Sequence, residues 1–230
     1  MKTATRPKIT IMENGPYLVE GDVPLANQHI VTNEQGESIE WREGDPYPHP
    51  EKYSLCRCGQ SRTKPFCDAT HKRIGFDGTE TASREPFERQ AQSIEGPTLV
   101  LEDAEKLCAF ARFCDPHGQV WNLVKQSDQP AAAKLVVHEA GHCPGGRLVA
   151  KHRSTGQAIE PHLDASIGLV QDTAQGTSGP VWARGGIPIV GADGRQYEVR
   201  NRVTLCRCGA SSNKPFCDGS HASIRFSDRV

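Results

Sequence analysis

The chain is 230 residues long, a length that suits one or two domains, and carries 27 Lys+Arg against 28 Asp+Glu for a net charge of −1. That balance lacks the basic excess of a dedicated nucleic-acid binder. Only 36% of residues are hydrophobic, beside 22 Gly and 16 Pro, so the core is thin for the length and something beyond apolar burial is expected to help hold it.

The stretch Met1–Val19 has charges and Pro7 where the apolar region of a signal peptide would lie. The longest apolar runs, such as Ala131–Val137 interrupted by Lys134, are far too short for a transmembrane helix. A cytoplasmic protein without membrane attachment is expected. Thiols stay reduced there, so nine cysteines, an odd number, point to metal rather than to disulfides.

In chain order, Gly15–Leu25 (GPYLVEGDVPL) reads as strand and turn, and Asp45–Tyr53 as a proline-rich loop. Leu55–Phe76 (LCRCGQSRTKPFCDATHKRIGF) is a cysteine-rich loop with a short helix, followed by a polar junction near Thr79–Gln92. Apolar residues at Ala104, Leu107, Cys108 and Ala111 predict a helix over Glu102–Phe113. Gln119–Gln126 and Ala131–Ala140, the latter after Pro130, also read as short helices, and Cys143–Thr177 as turns and short strands. Gly179–Ile189 (GPVWARGGIPI) then echoes Gly15–Leu25 at an offset of 164, and Leu205–Phe226 (LCRCGASSNKPFCDGSHASIRF) repeats Leu55–Phe76 at an offset of 150 with 14 of 22 positions identical. The first copy therefore holds 14 extra residues, which the loop Asp45–Tyr53 is expected to take up. The organisation that follows is a first half at 1–90, an insert with short helices at 91–178 and a second half at 179–230, the two halves packing together. The fold class is α+β, mostly β.

Each repeat supplies three thiols and an imidazole: Cys56, Cys58, Cys67 and His71, then Cys206, Cys208, Cys217 and His221. The C-x-C pair can aim two sulfurs at one metal, and Cys67 and His71, at i and i+4, can reach a metal from one helical turn with Pro65 and Asp68 at its start. Zinc held by three cysteines and a histidine is chemically reasonable, although C-x-C is tighter than the usual zinc knuckle. A [2Fe–2S] cluster, with one pair of ligands on each iron, is the other reading.

The pattern C-x-C-x2-S-x3-P-x-C-D-x-[ST]-H resembles the CDGSH iron–sulfur, or NEET, family. Cys217-Asp218-Gly219-Ser220-His221 carries the motif in full, with Ser211 and Pro215 in place, and Cys67-Asp68-Ala69-Thr70-His71 differs at Ala69, where the family has glycine. The resemblance covers about 22 residues in each copy and does not extend to the insert. It implies two [2Fe–2S] clusters, each held by three cysteines and one histidine. It also implies a fold usually made by dimerisation, so an intramolecular pseudo-dimer with a β-cap is expected here, in a monomer with internal two-fold pseudosymmetry. If position 69 is left-handed, its alanine adds strain at the first site.

The expected role is electron transfer or cluster transfer to a redox or cluster-acceptor protein, with no nucleic acid and no membrane as partner. Acid should protonate a ligand histidine and release its cluster, and imidazole in place of thiolate should raise the potential. Ser61 and Ser211 are placed to donate to cluster sulfur, while Asp68 and Asp218 order the helix start. Arg57, Lys64, Arg207 and Lys214 either offset cluster charge, dock an acidic partner, or are ordinary solvated charges. In the insert, Cys114, His117, His142 and Cys143 could form a third metal site, with Cys108 as core. A zinc-binding protein-interaction module and an oxidoreductase with its site in the insert are the alternatives, and the chain shows no nucleophile elbow, P-loop or dinucleotide fingerprint for the latter.

Overall fold

Short runs with every second side chain apolar build the first sheet. In β1 (Lys8–Ile11) and β2 (Tyr17–Glu20) the alternation buries Ile9, Ile11, Tyr17 and Val19 on one face. A computed structural model describes residues 5–228; residues 1–4, part of the stretch read above for a leader, and 229–230 lie outside the described residues. The first half continues through β3 (Leu25–Thr32), β4 (Ser38–Pro46), β5 (Lys52–Leu55) and α1 (Thr70–Arg73), and α2 (Phe87–Gln90) leads into the insert. There β6 (Gln92–Glu95), β7 (Leu99–Asp103) and β8 (Leu148–His152) form an antiparallel sheet covered by α3 (Val120–Leu123) and α4 (Pro130–His142). The chain ends with β9 (Ser166–Asp172), β10 (Thr177–Arg184), β11 (Ile189–Val190), β12 (Arg202–Leu205) and α5 (Ser220–Ser223). The protein is mixed α/β, mostly sheet, with three sheets.

Two strands cross between the halves. The orders are β11-β1-β2-β5 and β12-β10-β9-β3-β4, so β11 lies in the first half's sheet and β3 in the second's. Both crossings are parallel, with Ile9 opposite Ile189 and Leu25 opposite Ile167. The registers correspond throughout: Tyr17 faces Leu55 as Val181 faces Leu205, and Ile9 faces Val19 as Ile167 faces Ala183. The inner faces share one core, in which Ile9, Tyr17, Val19 and Leu55 meet Ile167, Val181, Ala183 and Leu205.

The outer faces differ. β10 and β12 are buried on both sides because the insert lies over them, Phe113 and Ala111 packing with Trp182 and Val170. β9, within the span 91–178, pairs with β10 and β3 and so belongs to the second half's sheet. Arg202 fastens the insert to this sheet, donating to the carbonyls of Ala140, Gly141 and Cys143 at 2.6, 3.0 and 2.8 Å and pairing with Glu160.

Two local expectations are corrected. The extra residues of the first copy lie in the long β3–β4 hairpin, where the second copy has only the two-residue β11 and a tight turn, rather than in the loop Asp45–Tyr53. The helix over Glu102–Phe113 is absent: β7 runs to Asp103, one 3₁₀ turn spans Glu105–Leu107, and Phe110 and Arg112 have positive φ. Ala104, Leu107, Ala111 and Phe113 of that stretch are buried, but the first two enter one cluster and the last two another, while Phe110 stays exposed, so they never form one helical face. The helices predicted over Gln119–Gln126 and Ala131–Ala140 are present, the first as α3 plus a 3₁₀ turn, the second as α4 with Pro130 in its first turn. No helix of the described residues is long and apolar enough to cross a membrane.

Candidate metal centres

β5 and β12 each deliver a C-x-C turn at their C-terminal end. The sulfurs of Cys56 and Cys58 are 3.8 Å apart, those of Cys206 and Cys208 3.6 Å. The loop then folds back, held by Cys56 N–H on Pro65 O at 2.8 Å and Cys67 N–H on Ser54 O at 2.9 Å, and identically by Cys206 on Pro215 and Cys217 on Thr204. This return sets the second pair against the first, with Cys67 Sγ 3.3 Å from His71 Nδ1 and Cys217 Sγ 3.4 Å from His221 Nδ1. Each set is two pairs of donors, one Cys–Cys and one Cys–His, and the structure repeats it twice.

Cys67 and His71 do not share a helical turn as the spacing predicted. α1 and α5 start after Ala69 and Gly219, which are left-handed at φ 65° and 84° and break the helix on its N-terminal side. That kink turns the Ala69 and Gly219 N–H groups toward Cys67 and Cys217 Sγ, each at 3.4 Å. Pro65 and Pro215 sit in the loops, each after a cis peptide bond, rather than at the helix start. Asp68 and Asp218 do order the turn: Asp68 accepts Thr70 N–H at 2.9 Å and Arg62 N–H at 3.0 Å, and Asp218 accepts Ser220 and Ser212 N–H at 3.0 and 2.8 Å. Since alanine is strained where glycine is not, Ala69→Gly is expected to raise stability by about 1 kcal/mol. Gly219→Ala should do the reverse, its new Cβ lying 3.2 Å from Phe110 Cβ, and the urea midpoint at constant m reads both.

The electrostatics follow from burial. It pushes the Cys58 thiol up to about 11 and lifts Cys67 and Cys217. Burial, then Lys72, lowers His71; burial, then Arg207, lowers His221 to about 4, so both rings are neutral near pH 7, the form that binds metal. The N–H groups of Arg62 and Thr70 hold Asp68 well below the usual carboxylate range. Burial opposes ionisation of Asp218, yet hydrogen bonds from Ser220 and Ser212 bring it to about 2. The sites differ in exposure: Cys67 and His71 are half-buried, whereas Cys217 and His221 are 2% and 4% exposed, with Phe110 and Cys108 of the insert over Gly219.

Both segments carrying these donors match one family. The model of the iron-binding zinc finger CDGSH type fits residues 14–72 and 178–222. The chain thus carries two CDGSH-type segments in tandem. CDGSH domains are iron-binding, which makes iron the metal to consider at both sets. No curated protein matches the chain significantly.

The residues flanking the CDGSH donors serve the loops. Ser61 Oγ donates to Phe66 O and Ser211 Oγ to Phe216 O, each at 2.7 Å, so their single protons are committed away from the donor sulfurs. Lys64 and Lys214 Nζ bind the carbonyls of Ser61 and Ser211 at 2.8 and 2.7 Å. Arg57 and Arg207 are neither solvated nor available for docking. Arg57 binds Gly78 O and stacks near Tyr17 and Phe76; Arg207 pairs with Asp228 and donates to Gly179 O at 2.6 Å.

Sequence reasoning missed Tyr17. It comes from the first half, yet its hydroxyl lies in the second site, 2.6 Å from Cys206 O and 3.1 Å from Pro215 O. Its counterpart in the repeat is Val181, so only a contact across the halves could have revealed it. Removing the hydroxyl with Tyr17→Phe strands a buried carbonyl and is expected to cost about 1–3 kcal/mol. Metal should then leave the second site faster on challenge with a chelator, with the first site unchanged.

The third donor set drawn from Cys114, His117, His142 and Cys143 is not formed. His142 has Nδ1 at 2.8 Å from His138 O and Nε2 at 2.8 Å from Glu40 Oε1, and His117 Nδ1 is 3.1 Å from Glu139 Oε1.

Proposed function

We propose that the protein carries two [2Fe–2S] clusters and passes electrons or clusters to an acceptor protein. The observation that carries this reading is the arrangement of each donor set as two pairs. Cys56 and Cys58 would hold one iron and Cys67 with His71 the other, as would Cys206 with Cys208 and Cys217 with His221 in the second half. Two ligands per iron, with sulfides between the irons, complete a [2Fe–2S] centre. Donors arranged as a Cys–Cys pair and a Cys–His pair suit a two-iron centre better than mononuclear zinc, which needs four donors at one point.

When bound, such a centre accepts and returns one electron. The protein's own contribution is to present neutral imidazoles with Nδ1 toward the metal, leaving Nε2 as the atom that takes up or releases a proton. Residues 1–90 and 179–230, the latter completed by β9, act as halves of an internal pseudo-dimer, the exchanged strands β3 and β11 lie in its β-cap, and the rest of 91–178 is an insert over the second half. Cytoplasmic residence, monomeric state and the acceptor's identity belong to the same proposal.

Mixing the loaded protein with an apo-ferredoxin, in oxidised and reduced states, tests the role. Visible absorbance moving to the acceptor supports cluster transfer, and retention in both states with reversible reduction supports electron transfer. A colourless protein that can be neither reduced nor made to donate would overturn the proposal.

A further inference from the structure

The two CDGSH segments are close in sequence and differ in what lies on them. In the second copy the chain covers its own motif. Asn213 Nδ2 donates to Lys106 O of the insert at 2.8 Å. Gly219 lies against the stretch that follows, where an added Cβ would be 3.2 Å from Phe110 Cβ and 3.6 Å from Cys108 O. The junction after the first half crosses the same loop: Thr81 and Ala82 N–H donate to Lys214 O at 2.7 and 2.9 Å, and Thr81 Oγ1 to Ser212 O at 2.7 Å. With this cover in place Cys217 and His221 are buried.

The first copy presents the same face bare. Thr63 and Ala69, the counterparts of Asn213 and Gly219, are exposed, and Cys67 and His71 are half-buried. A Cβ on Gly75 would meet nothing within 4 Å. The insert thus demonstrates on the second copy that a protein segment can seat beside these donors, and the first copy leaves that seat free.

Charge marks the same face. Of the positions that differ between the copies, three exchange a cation for a small neutral residue: Arg62 for Ser212, Lys72 for Ala222 and Arg73 for Ser223. All three cations are exposed, and Lys72 directly follows His71. Ile74, 50% exposed, adds an apolar centre beside them. From Ser61 to Phe76 the first copy holds four cations and one carboxylate, against two and one from Ser211 to Phe226. That carboxylate, Asp68, is engaged by the N–H groups of Arg62 and Thr70, and Asp77 just beyond is engaged by Thr79. On a chain of net charge −1 this is a local positive field, the kind that steers an acidic protein to one orientation.

We propose that the first CDGSH face, ringed by Arg62, Lys72, Arg73 and Ile74, is the docking surface for an acidic redox partner protein, and that the chain itself closes the equivalent face of the second site. The inference rests on the carrier role proposed above and deepens it by naming the face and the charge of the partner. The second site meets the first through the touching turns at Gly59 and Cys208, so its exchange with a partner runs by way of the first.

The test uses the loaded full chain with an acidic [2Fe–2S] ferredoxin as probe, at low and at high salt. R62S/K72A/R73S gives the first copy the residues of the second and is expected to weaken binding at low salt about tenfold, mainly through the association rate. R225G, which gives the second copy the residue found at Gly75, removes a cation from the other face and should leave the affinity unchanged. Carbodiimide coupling of lysine to carboxylate needs no variant, and should join the ferredoxin to Lys72. Equal affinity in the triple variant, absence of binding at low salt, or coupling confined to Lys214 and the insert's lysines would overturn the proposal. So would tighter binding of duplex DNA or of anionic vesicles, lost in the same variant. Stopped-flow mixing with reduced ferredoxin, which gives one electron to an oxidised cluster with no bond made or broken, separates this inference from the carrier role. If the ferredoxin docks as expected and neither electron nor cluster passes, the carrier role falls and the docking face stands. Passage at equal rates in the unmodified protein and the triple variant keeps the carrier role and refutes this face.

Discussion

A Gly59→Ala chain is expected to lose both clusters together. Gly59 closes the C-x-C turn of the first set at φ +76°, and a Cβ there would lie 2.5 Å from Cys208 O, a backbone atom of the second set. The relation is reciprocal, since a Cβ on Gly209 would lie 2.6 Å from Cys58 O. The two C-x-C turns therefore touch directly, and neither can move aside without dragging two candidate donors with it. Left-handed strain and overpacking together are expected to cost about 2–5 kcal/mol. Gly36→Ala is the control: φ is +81° there, but nothing lies within 4 Å, so the strain alone should cost about 1 kcal/mol and both clusters should stay. Urea unfolding followed by visible absorbance and circular dichroism reads both variants. Loss of one cluster with the other intact in Gly59→Ala would contradict the coupling of the halves.

Replacing both ligand imidazoles, in His71→Cys with His221→Cys, should lower the reduction potential by an amount on the order of 0.2 V, because each cluster gains a thiolate charge. It should also remove the acid sensitivity. In the unmodified protein both imidazoles are harder to protonate folded than unfolded. Below about pH 6.5 the unfolded chain therefore takes up more protons than the folded one. The stability from these groups is complete above that pH and is lost as pH falls toward the folded value, about 4 for His221. Protonation competes with metal in the same direction. The half-exposed His71 should respond before the buried His221, so the first site is expected to empty first on acidification. Absorbance against pH for the single variants, with potentiometry on the double variant, checks this. An unchanged potential and an unchanged acid profile in the double variant would sink the role given to histidine.

The donors were legible because their chemistry is local: C-x-C, the return loop and the i, i+4 Cys–His pair lie within each 22-residue repeat. The left-handed position 69 was legible for the same reason, since glycine in one copy and alanine in the other mark one backbone conformation. What the sequence hid was long-range. Tyr17 serves a site that is 189 residues away at Cys206, and the buried roles of Arg57 and Arg207 depend on carbonyls and aromatic rings brought in by folding. The apolar spacing of Glu102–Phe113 misled because its side chains enter two different cores. Cys108 was assigned to a helix face on that same spacing, whereas it follows the 3₁₀ turn Glu105–Leu107 in extended backbone. The low apolar content fits a chain whose small halves are fastened by exchanged strands and, on the function proposed, by metal.

Iron, zinc and acid-labile sulfide analysis of freshly purified protein tests the central claim most directly. The account predicts iron and sulfide in equal amounts, at least about four of each per chain, with visible colour. Zinc without sulfide would contradict it.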